Sequence, residues 1–177
     1  MSVIDETRVG LFYGSTTCYT EMVAEKLQQA LEGFSVEIHN IKDVDLKQCE
    51  QFDILILGIS TWDFGELQED WESQWSDISA VNLDGKIIAL FGLGDQYGYA
   101  DWFQDALGML HDEVVKQDCH IIGYWPNTGY EFNQSKALTE DGEFFVGLSL
   151  DDENQFDQTD QRIADWVAQL ITELSEL

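Results

Sequence analysis

Short apolar runs alternate with amphipathic segments along the whole chain, and this alternation constrains the fold more than any other feature. The runs predict strands at residues 8–13, 35–40, 53–59 and 86–91, and a fifth strand that begins at 120–124. The amphipathic segments predict helices at residues 20–31, 68–77, 102–115 and 159–174. Ile54 to Leu57 is apolar at every position, as expected for a parallel strand covered on both faces. The pattern therefore predicts an α/β fold, a doubly wound sheet of five parallel strands with helices on both faces.

The segment from Pro126 to Phe144 interrupts this alternation with polar and turn-forming residues, and the apolar run from Phe145 to Leu148 follows it. A structureless connection of about twenty residues is uncommon inside a compact domain. We therefore predict that this segment is inserted into the fifth strand and splits it. Because no linker or repeat divides the sequence, residues 1–177 are predicted to form one domain.

The charge balance restricts the partners of this chain. Thirty-five acidic residues against eight basic ones give a formal charge of -27, which repels nucleic acids and anionic lipid surfaces. The six Trp, six Tyr and ten Phe indicate a folded acidic domain rather than a disordered one. We therefore expect basic protein partners.

The cysteines and the amino terminus predict where the chain resides. Cys18, Cys49 and Cys119 share no spacing typical of a disulfide framework or a metal site, and the histidines are scattered, so we expect reduced thiols and no metal. The sequence begins without a targeting pattern and contains no apolar run of about eighteen residues, which would be needed to span a membrane. Cytoplasmic localisation is the resulting prediction.

The first predicted strand ends in a loop rich in hydroxyl groups, which reads Ser15-Thr16-Thr17-Cys18-Tyr19-Thr20 and leads into a helix. Backbone N–H groups at a helix amino terminus, together with hydroxyl donors, suit a phosphate group. The loop contains no Lys or Arg. It therefore favours a bound phosphate ester over nucleoside triphosphate chemistry, which needs a lysine. An ordinary helix cap is the alternative interpretation.

Aromatic residues stand in the loops that follow the third and fourth strands. These loops contain Ser60-Thr61-Trp62-Asp63-Phe64-Gly65 and Leu93-Gly94-Asp95 with Tyr99. Because the carboxyl ends of parallel strands meet at one edge, the loops should converge with the phosphate loop. Two aromatic faces at such an edge predict a flat ring ligand between them. Taken singly, Trp62 and Tyr99 could also be packed surface aromatics.

Together these loops resemble the three FMN-binding loops of the flavodoxins. The resemblance covers Leu11 to Thr17, Thr61-Trp62 with Gly65 to Leu67, and Gly94 to Gln96 with Gly98-Tyr99, and it extends to Asp151 through Gln155. The inserted segment is similar to that of the long-chain flavodoxins, and Thr17 to Thr20 with Trp62 to Gly65 is similar to the enterobacterial type called flavodoxin 2. Cys18 departs from the commoner glycine, and Ser60 stands where a proline is usual.

The resemblance implies the strand order 2-1-3-4-5 and a low-potential one-electron carrier that binds FMN non-covalently. Such a monomer is not an enzyme; it shuttles electrons between a flavodoxin/ferredoxin-NADP reductase and acceptor redox enzymes through an acidic face. The resemblance also implies a role for each loop. Trp62 and Tyr99 enclose the ring, Leu93 and Asp95 line its pyrimidine edge, and the Asp63 carbonyl turns toward the flavin atom N5. The phosphate is bound by the residues of the first loop, Ser15, Thr16, Thr17, Cys18, Tyr19 and Thr20, and the other two loops are completed by Ser60, Thr61, Phe64, Gly65 and Gly94.

Two alternatives share this fold class. A flavodoxin-like NAD(P)H quinone reductase needs a nicotinamide pocket, but the expected loops carry no basic residue for a second phosphate group. A signalling receiver domain needs a phosphoacceptor Asp at the end of the third strand, where this chain has Ser60-Thr61. Cys18 could separately act as a redox-sensitive thiol.

Overall fold

The computed structural model describes residues 7–177, and a parallel sheet lies at its centre. The strands of the protein are β1 (Thr7–Tyr13), β2 (Phe34–Asn40), β3 (Ile54–Trp62), β4 (Glu66–Leu67), β5 (Ile87–Leu93), β6 (His120–Ile122), β7 (Trp125–Pro126), β8 (Phe144–Phe145) and β9 (Leu148–Leu150). The main strands follow the order β2-β1-β3-β5-β6, and all pair in parallel. This arrangement confirms the predicted order 2-1-3-4-5, in which β5 and β6 are the fourth and fifth strands.

Helices cover both faces of the sheet, as predicted. They are α1 (Tyr19–Ala30), α2 (Glu69–Ser73), α3 (Asp105–Val114) and α4 (Phe156–Ser175), with short 3-10 segments at Leu46–Gln51 and Trp75–Ala80. On one face, Leu27 of α1 and Trp166 of α4 are fully buried in one core cluster; on the other, Leu107 and Leu110 of α3 belong to a second. No helix among residues 7–177 is both long and apolar enough to cross a membrane.

The fifth strand is split, as the sequence predicts. The first half of β5 pairs with β6, from Ile87 opposite His120, whereas its second half pairs with β9, up to Leu93 opposite Leu150. Between these two pieces the chain forms the antiparallel hairpin β7–β8. Just before β9, a Cβ atom on Gly147 would lie 2.2 Å from the Leu90 carbonyl oxygen, so only glycine allows the chain to return this close to β5.

Two predicted helices have the wrong limits. The predicted helix at 68–77 ends at Ser73, because Gln74 leaves the helical conformation and its side chain bonds the Ile41 carbonyl and the Leu46 N–H. The predicted helix at 102–115 begins only at Asp105. Gln104 before it has a left-handed backbone, with φ of 61°, and its side-chain amide bridges the carbonyls of Gly92 and Leu150. In both places a glutamine side chain that bonds distant backbone groups overrides the local helical pattern.

The predicted second half of the fifth strand, residues 145–148, was also misplaced. Phe145 pairs with Trp125 in the β7–β8 hairpin, and the strand that joins the sheet begins at Leu148. The first half stops at Ile122, because the next carbonyl, that of Gly123, accepts a 2.8 Å hydrogen bond from the Trp166 indole rather than from a strand.

Candidate functional site

An open cleft lies at the carboxyl edge of the sheet, where the loops after β1, β3, β5 and β9 meet. Ten residues line it: Tyr19, Thr61, Trp62, Asp63, Leu93, Gly94, Asp95, Tyr99, Asp152 and Glu153. Eight of these were predicted from the sequence. Asp152 and Glu153 were missed, although they directly follow β9 and the strand-edge rule applies equally to the second half of a split strand.

The loop between β1 and α1 presents donors that lack acceptors. The first intrahelical bond of α1 runs from the Met22 N–H to the Cys18 carbonyl, at 2.9 Å, and no side chain caps the helix. The N–H groups of its first turn therefore have no intrahelical acceptor. The Ser15 hydroxyl is buried and has no hydrogen-bond partner among residues 7–177. Such a set of neutral donors at a helix amino terminus fits a phosphate ester.

The remaining residues of this first loop differ in their exposure. Thr16 and Thr17 are exposed, and the Thr16 hydroxyl accepts a 3.1 Å hydrogen bond from the Gln68 amide, which links this loop to the start of α2. Cys18 is exposed and has φ of 70°, a left-handed conformation that favours glycine. Thr20 is buried in the first turn of α1. Of the six predicted phosphate-loop residues, only Tyr19 lines the cleft itself.

The loop after β3 is a hairpin that turns back at Asp63, whose φ is 44°. Two hydroxyl groups accept hydrogen bonds at the start of this hairpin. The Ser60 hydroxyl accepts a 3.0 Å hydrogen bond from the Trp62 indole, and the Thr61 hydroxyl accepts one of 2.9 Å from the Ala106 N–H at the start of α3. Ser60 therefore orients Trp62 from outside the cleft lining.

Phe64 and Gly65 also lie outside the cleft lining. The Phe64 ring is 66% exposed and makes edge-to-face contacts with Trp102, at 4.9 Å between ring centroids, and with Tyr99, at 6.2 Å. The side chain thus points away from the space between Trp62 and Tyr99. Its contribution to the site is limited to its backbone and to the packing behind Tyr99.

The loop after β5 is fixed by the carboxylate of Asp95. It accepts hydrogen bonds from the N–H groups of Tyr97, at 3.1 Å, and Gly98, at 2.7 Å. A Cβ on Gly98 would lie 2.3 Å from the same carboxylate, so the turn needs glycine there. The Tyr99 hydroxyl donates to Asp63 at 3.3 Å, which joins this loop to the hairpin after β3. The Asp63 carboxylate raises the pKa of Tyr99.

The cleft wall is acidic. Asp63, Asp95, Asp152 and Glu153 line it, and no Lys or Arg is among its lining residues. Burial raises the pKa of the Asp152 carboxyl, which accepts a hydrogen bond from the buried Thr159 hydroxyl. A negative charge on a ring held in this cleft is therefore opposed by its surroundings, whereas a phosphate is favoured only at the α1 amino terminus.

The fold and cleft together define an open α/β domain that receives its ligand beyond the carboxyl ends of its strands. Residues 11–166 match the model of the family described as flavodoxin. The chain is 55% identical to flavodoxin 2 of Escherichia coli over 168 residues, which are 95% of this chain and 97% of the relative. It is 46% identical to the flavodoxin of Synechococcus elongatus over 167 residues, 94% of this chain and 97% of the relative. This chain belongs to the flavodoxin family.

A solved structure supports the same assignment. The crystal structure of Fusobacterium nucleatum flavodoxin bound to flavin mononucleotide superposes with a TM-score of 0.87 at 30% sequence identity, covering 94% of this chain and 98% of that one. The predicted fold class and the predicted similarity to the flavodoxin 2 type are thus confirmed. The roles of individual cleft residues stay predictions.

Proposed function

We propose that this chain is a low-potential one-electron carrier that holds one FMN non-covalently. The observation that carries the proposal is the buried Ser15 hydroxyl, which has no partner among residues 7–177 and lies in the loop before the uncapped amino terminus of α1. Tyr19 of that helix lines a cleft that Trp62 and Tyr99 also line. A phosphate satisfies the first feature and a flat ring the second. The Fusobacterium nucleatum flavodoxin, which is similar over nearly its whole length, binds flavin mononucleotide.

The phosphate is held by neutral donors only. Ser15, Thr16, Thr17 and Thr20 supply hydroxyl groups, and Cys18 and Tyr19 supply backbone N–H groups at the helix terminus. Because no covalent attachment is involved, acid that unfolds the protein releases the cofactor intact.

The ring lies between Trp62 and Tyr99. Ser60 fixes the Trp62 indole through its hydrogen bond, and Asp63, Phe64 and Gly65 form the turn beside the ring. Thr61, Leu93, Gly94 and Asp95 complete the wall. The Tyr99–Asp63 hydrogen bond joins the loop after β5 to the loop after β3 and so fixes the distance between them.

The FMN supplies the electron transfer, and the protein sets how readily it is reduced. Four carboxylates line the cleft and the whole chain carries a formal charge of -27, so a negatively charged ring is disfavoured. Low dielectric between the aromatic faces strengthens that repulsion. The second electron is therefore accepted only from a strong donor, which makes the carrier a low-potential one.

The acidic surface also steers partners. Glu66, Glu69 and Glu72 lie beside Trp62, on the outer side of the hairpin after β3, and Asp63, Asp70, Asp95 and Asp101 extend the same charge. A basic flavodoxin/ferredoxin-NADP reductase and acceptor redox enzymes are attracted by such a face. The carrier works as a monomer in the cytoplasm, a reducing compartment that suits its three free cysteines.

One experiment tests the cofactor. Acid precipitation followed by mass spectrometry of the supernatant should yield one FMN per chain, and recovery of FAD or of no flavin refutes the proposal. Ser15→Ala should weaken the free energy of FMN binding by about 1.5–3 kcal/mol, the usual strength of a hydrogen bond to a charged group. The same variant should not lose stability without FMN, because the hydroxyl has no hydrogen-bond partner to lose among residues 7–177. Ser175→Ala, at the exposed far end of α4, is the matched control.

A second experiment separates a carrier from the quinone reductase alternative. During stepwise photoreduction, a carrier should accumulate half-reduced flavin with long-wavelength absorbance before full reduction. A chain that passes directly to fully reduced flavin, and that oxidises NADPH without a partner protein, is the reductase instead.

A further inference from the structure

The Asp151 carboxylate is fully buried and accepts five hydrogen bonds from N–H groups. One oxygen accepts from the Gln96 backbone at 3.1 Å, the Gln96 side chain at 2.8 Å and the Asn154 side chain at 2.9 Å. The other oxygen accepts from the backbones of Glu153, at 3.1 Å, and Asn154, at 3.0 Å. No Lys or Arg forms a salt bridge with it within residues 7–177. A buried charge without a counter-ion is costly, so this one depends on all of its donors.

These bonds connect Asp151 to two of the segments that line the cleft, the loop after β5 and the turn after β9. Gln96 follows Asp95 in the loop that carries Tyr99, and Asn154 donates a further hydrogen bond to Asp95 at 2.7 Å. In the turn after β9, the bonds from the Glu153 and Asn154 N–H groups shape the backbone that places Asp152 and Glu153 in the lining. One carboxylate thus fixes three acidic residues of the wall.

The same network reaches the inserted segment. The Gln96 side-chain oxygen accepts a 2.6 Å hydrogen bond from the Glu131 N–H, while its nitrogen donates to Asp151. This buried amide therefore helps to attach the segment between β7 and β8 to the loop after β5, together with the Asn133 and Gln134 N–H groups, which donate to the Ala100 carbonyl. Its position is linked to that of Asp95.

We propose that Asp151 is a positioning residue for the bound flavin, which holds the loop after β5, the turn after β9 and the inserted segment in register around the ring. This inference rests on the proposed function. An aspartate is required because an amide has one acceptor oxygen, whereas five donors occupy both oxygens here. In Asp151→Asn, either orientation of the amide turns an NH₂ group toward at least two N–H donors.

Loosening the network should have a defined redox effect. If the loop after β5 and the turn after β9 move apart, the wall carboxylates withdraw from the ring and water enters the cleft. Both changes make the negatively charged ring easier to form. For Asp151→Asn we expect the equilibrium constant of the second reduction to rise at least fivefold and the FMN dissociation constant to rise at least tenfold.

Variants that keep the formal charge separate the effect of a loosened hydrogen-bond network from the effect of losing the Asp151 charge. Gln96→Leu and Asn154→Ala each remove hydrogen bonds to Asp151 without changing the formal charge, and Asn154 is exposed, so its truncation should leave the fold intact. Asp157→Asn, on an exposed turn of α4, removes one charge outside the network. If Asp151 positions the ring, both neutral variants shift the second reduction in the same direction as Asp151→Asn, and Asp157→Asn does not.

The test has a readout that needs no flavin. Hydrogen exchange of the FMN-free protein should be at least tenfold faster at the amides of Tyr97 and Gly98 in Asp151→Asn and Asn154→Ala than in the wild type. Faster exchange with an unchanged second reduction overturns the proposal, as does a shift in Asp157→Asn equal to that in Asp151→Asn. Unchanged exchange in both network variants also overturns it. If the wild type binds no FMN at all, the proposed function fails independently of the exchange result.

Discussion

Replacing Cys18 with glycine should stabilise the protein. Cys18 has φ of 70° at the amino terminus of α1, and the left-handed conformation costs an L-residue about 1–2 kcal/mol. Glycine avoids this cost but loses about 0.5–1 kcal/mol through the greater freedom of the unfolded chain. The mid-range values leave a net gain of about 0.8 kcal/mol, or a rise in Tm of about 2 °C for a chain of this size.

Alanine is the matched control at this position. The thiol is exposed, so Cys18→Ala removes little packing while it keeps the Cβ that makes the backbone strained. Thermal and urea unfolding of the FMN-free protein, under reducing conditions, should rank glycine above both alanine and wild type. An alanine variant as stable as the glycine variant would refute the reasoning, because the strain would then not reside in the backbone.

Three further predictions concern the ring, pH and salt. Trp62→Ala and Tyr99→Ala should each weaken FMN binding by about 1–3 kcal/mol in a fluorescence titration. Phe64→Ala should weaken binding less, because the Phe64 ring faces Trp102. Equal losses of affinity in all three variants would argue against a flavin held between Trp62 and Tyr99. Burial lowers the pKa of His111, so the unfolded chain binds the proton more readily than the folded one, and the free energy of unfolding should fall as pH drops below about 6.5. His111→Asn should reduce this pH dependence, which urea unfolding between pH 8 and pH 5 measures. Electron transfer from a basic reductase should slow in stopped-flow measurements as salt rises toward physiological strength, and a flat rate would exclude steering.

The strands could be predicted because their signal is local. Ile54 to Leu57 is apolar at every position, and the structure buries it between the two core clusters, with only its first residue partly exposed. The split of the fifth strand was also visible, since a polar segment separates two apolar runs. The loops of the cleft followed from topology alone, because parallel strands place their carboxyl ends together.

The remaining features depend on contacts between distant residues. Gln74 and Gln104 end or delay helices because their side chains bond carbonyls brought close by folding, and neither residue differs locally from an ordinary helical glutamine. The sequence places Phe64 in the loop after β3 but does not show that its ring packs edge-to-face against Trp102. Asp151 carries no local signal of its role, since its donors come from residues more than fifty positions away as well as from its own turn.

The split strand has a consequence for biosynthesis. The cleft takes residues from the loop after β1, near the start of the chain, and from the turn after β9, close to its end. A ribosome-bound chain that has not yet released β9 lacks Asp151, Asp152 and Glu153 and leaves the second half of β5 without its outer partner. The complete lining of the cleft therefore forms only once β9 has been made and has paired with β5.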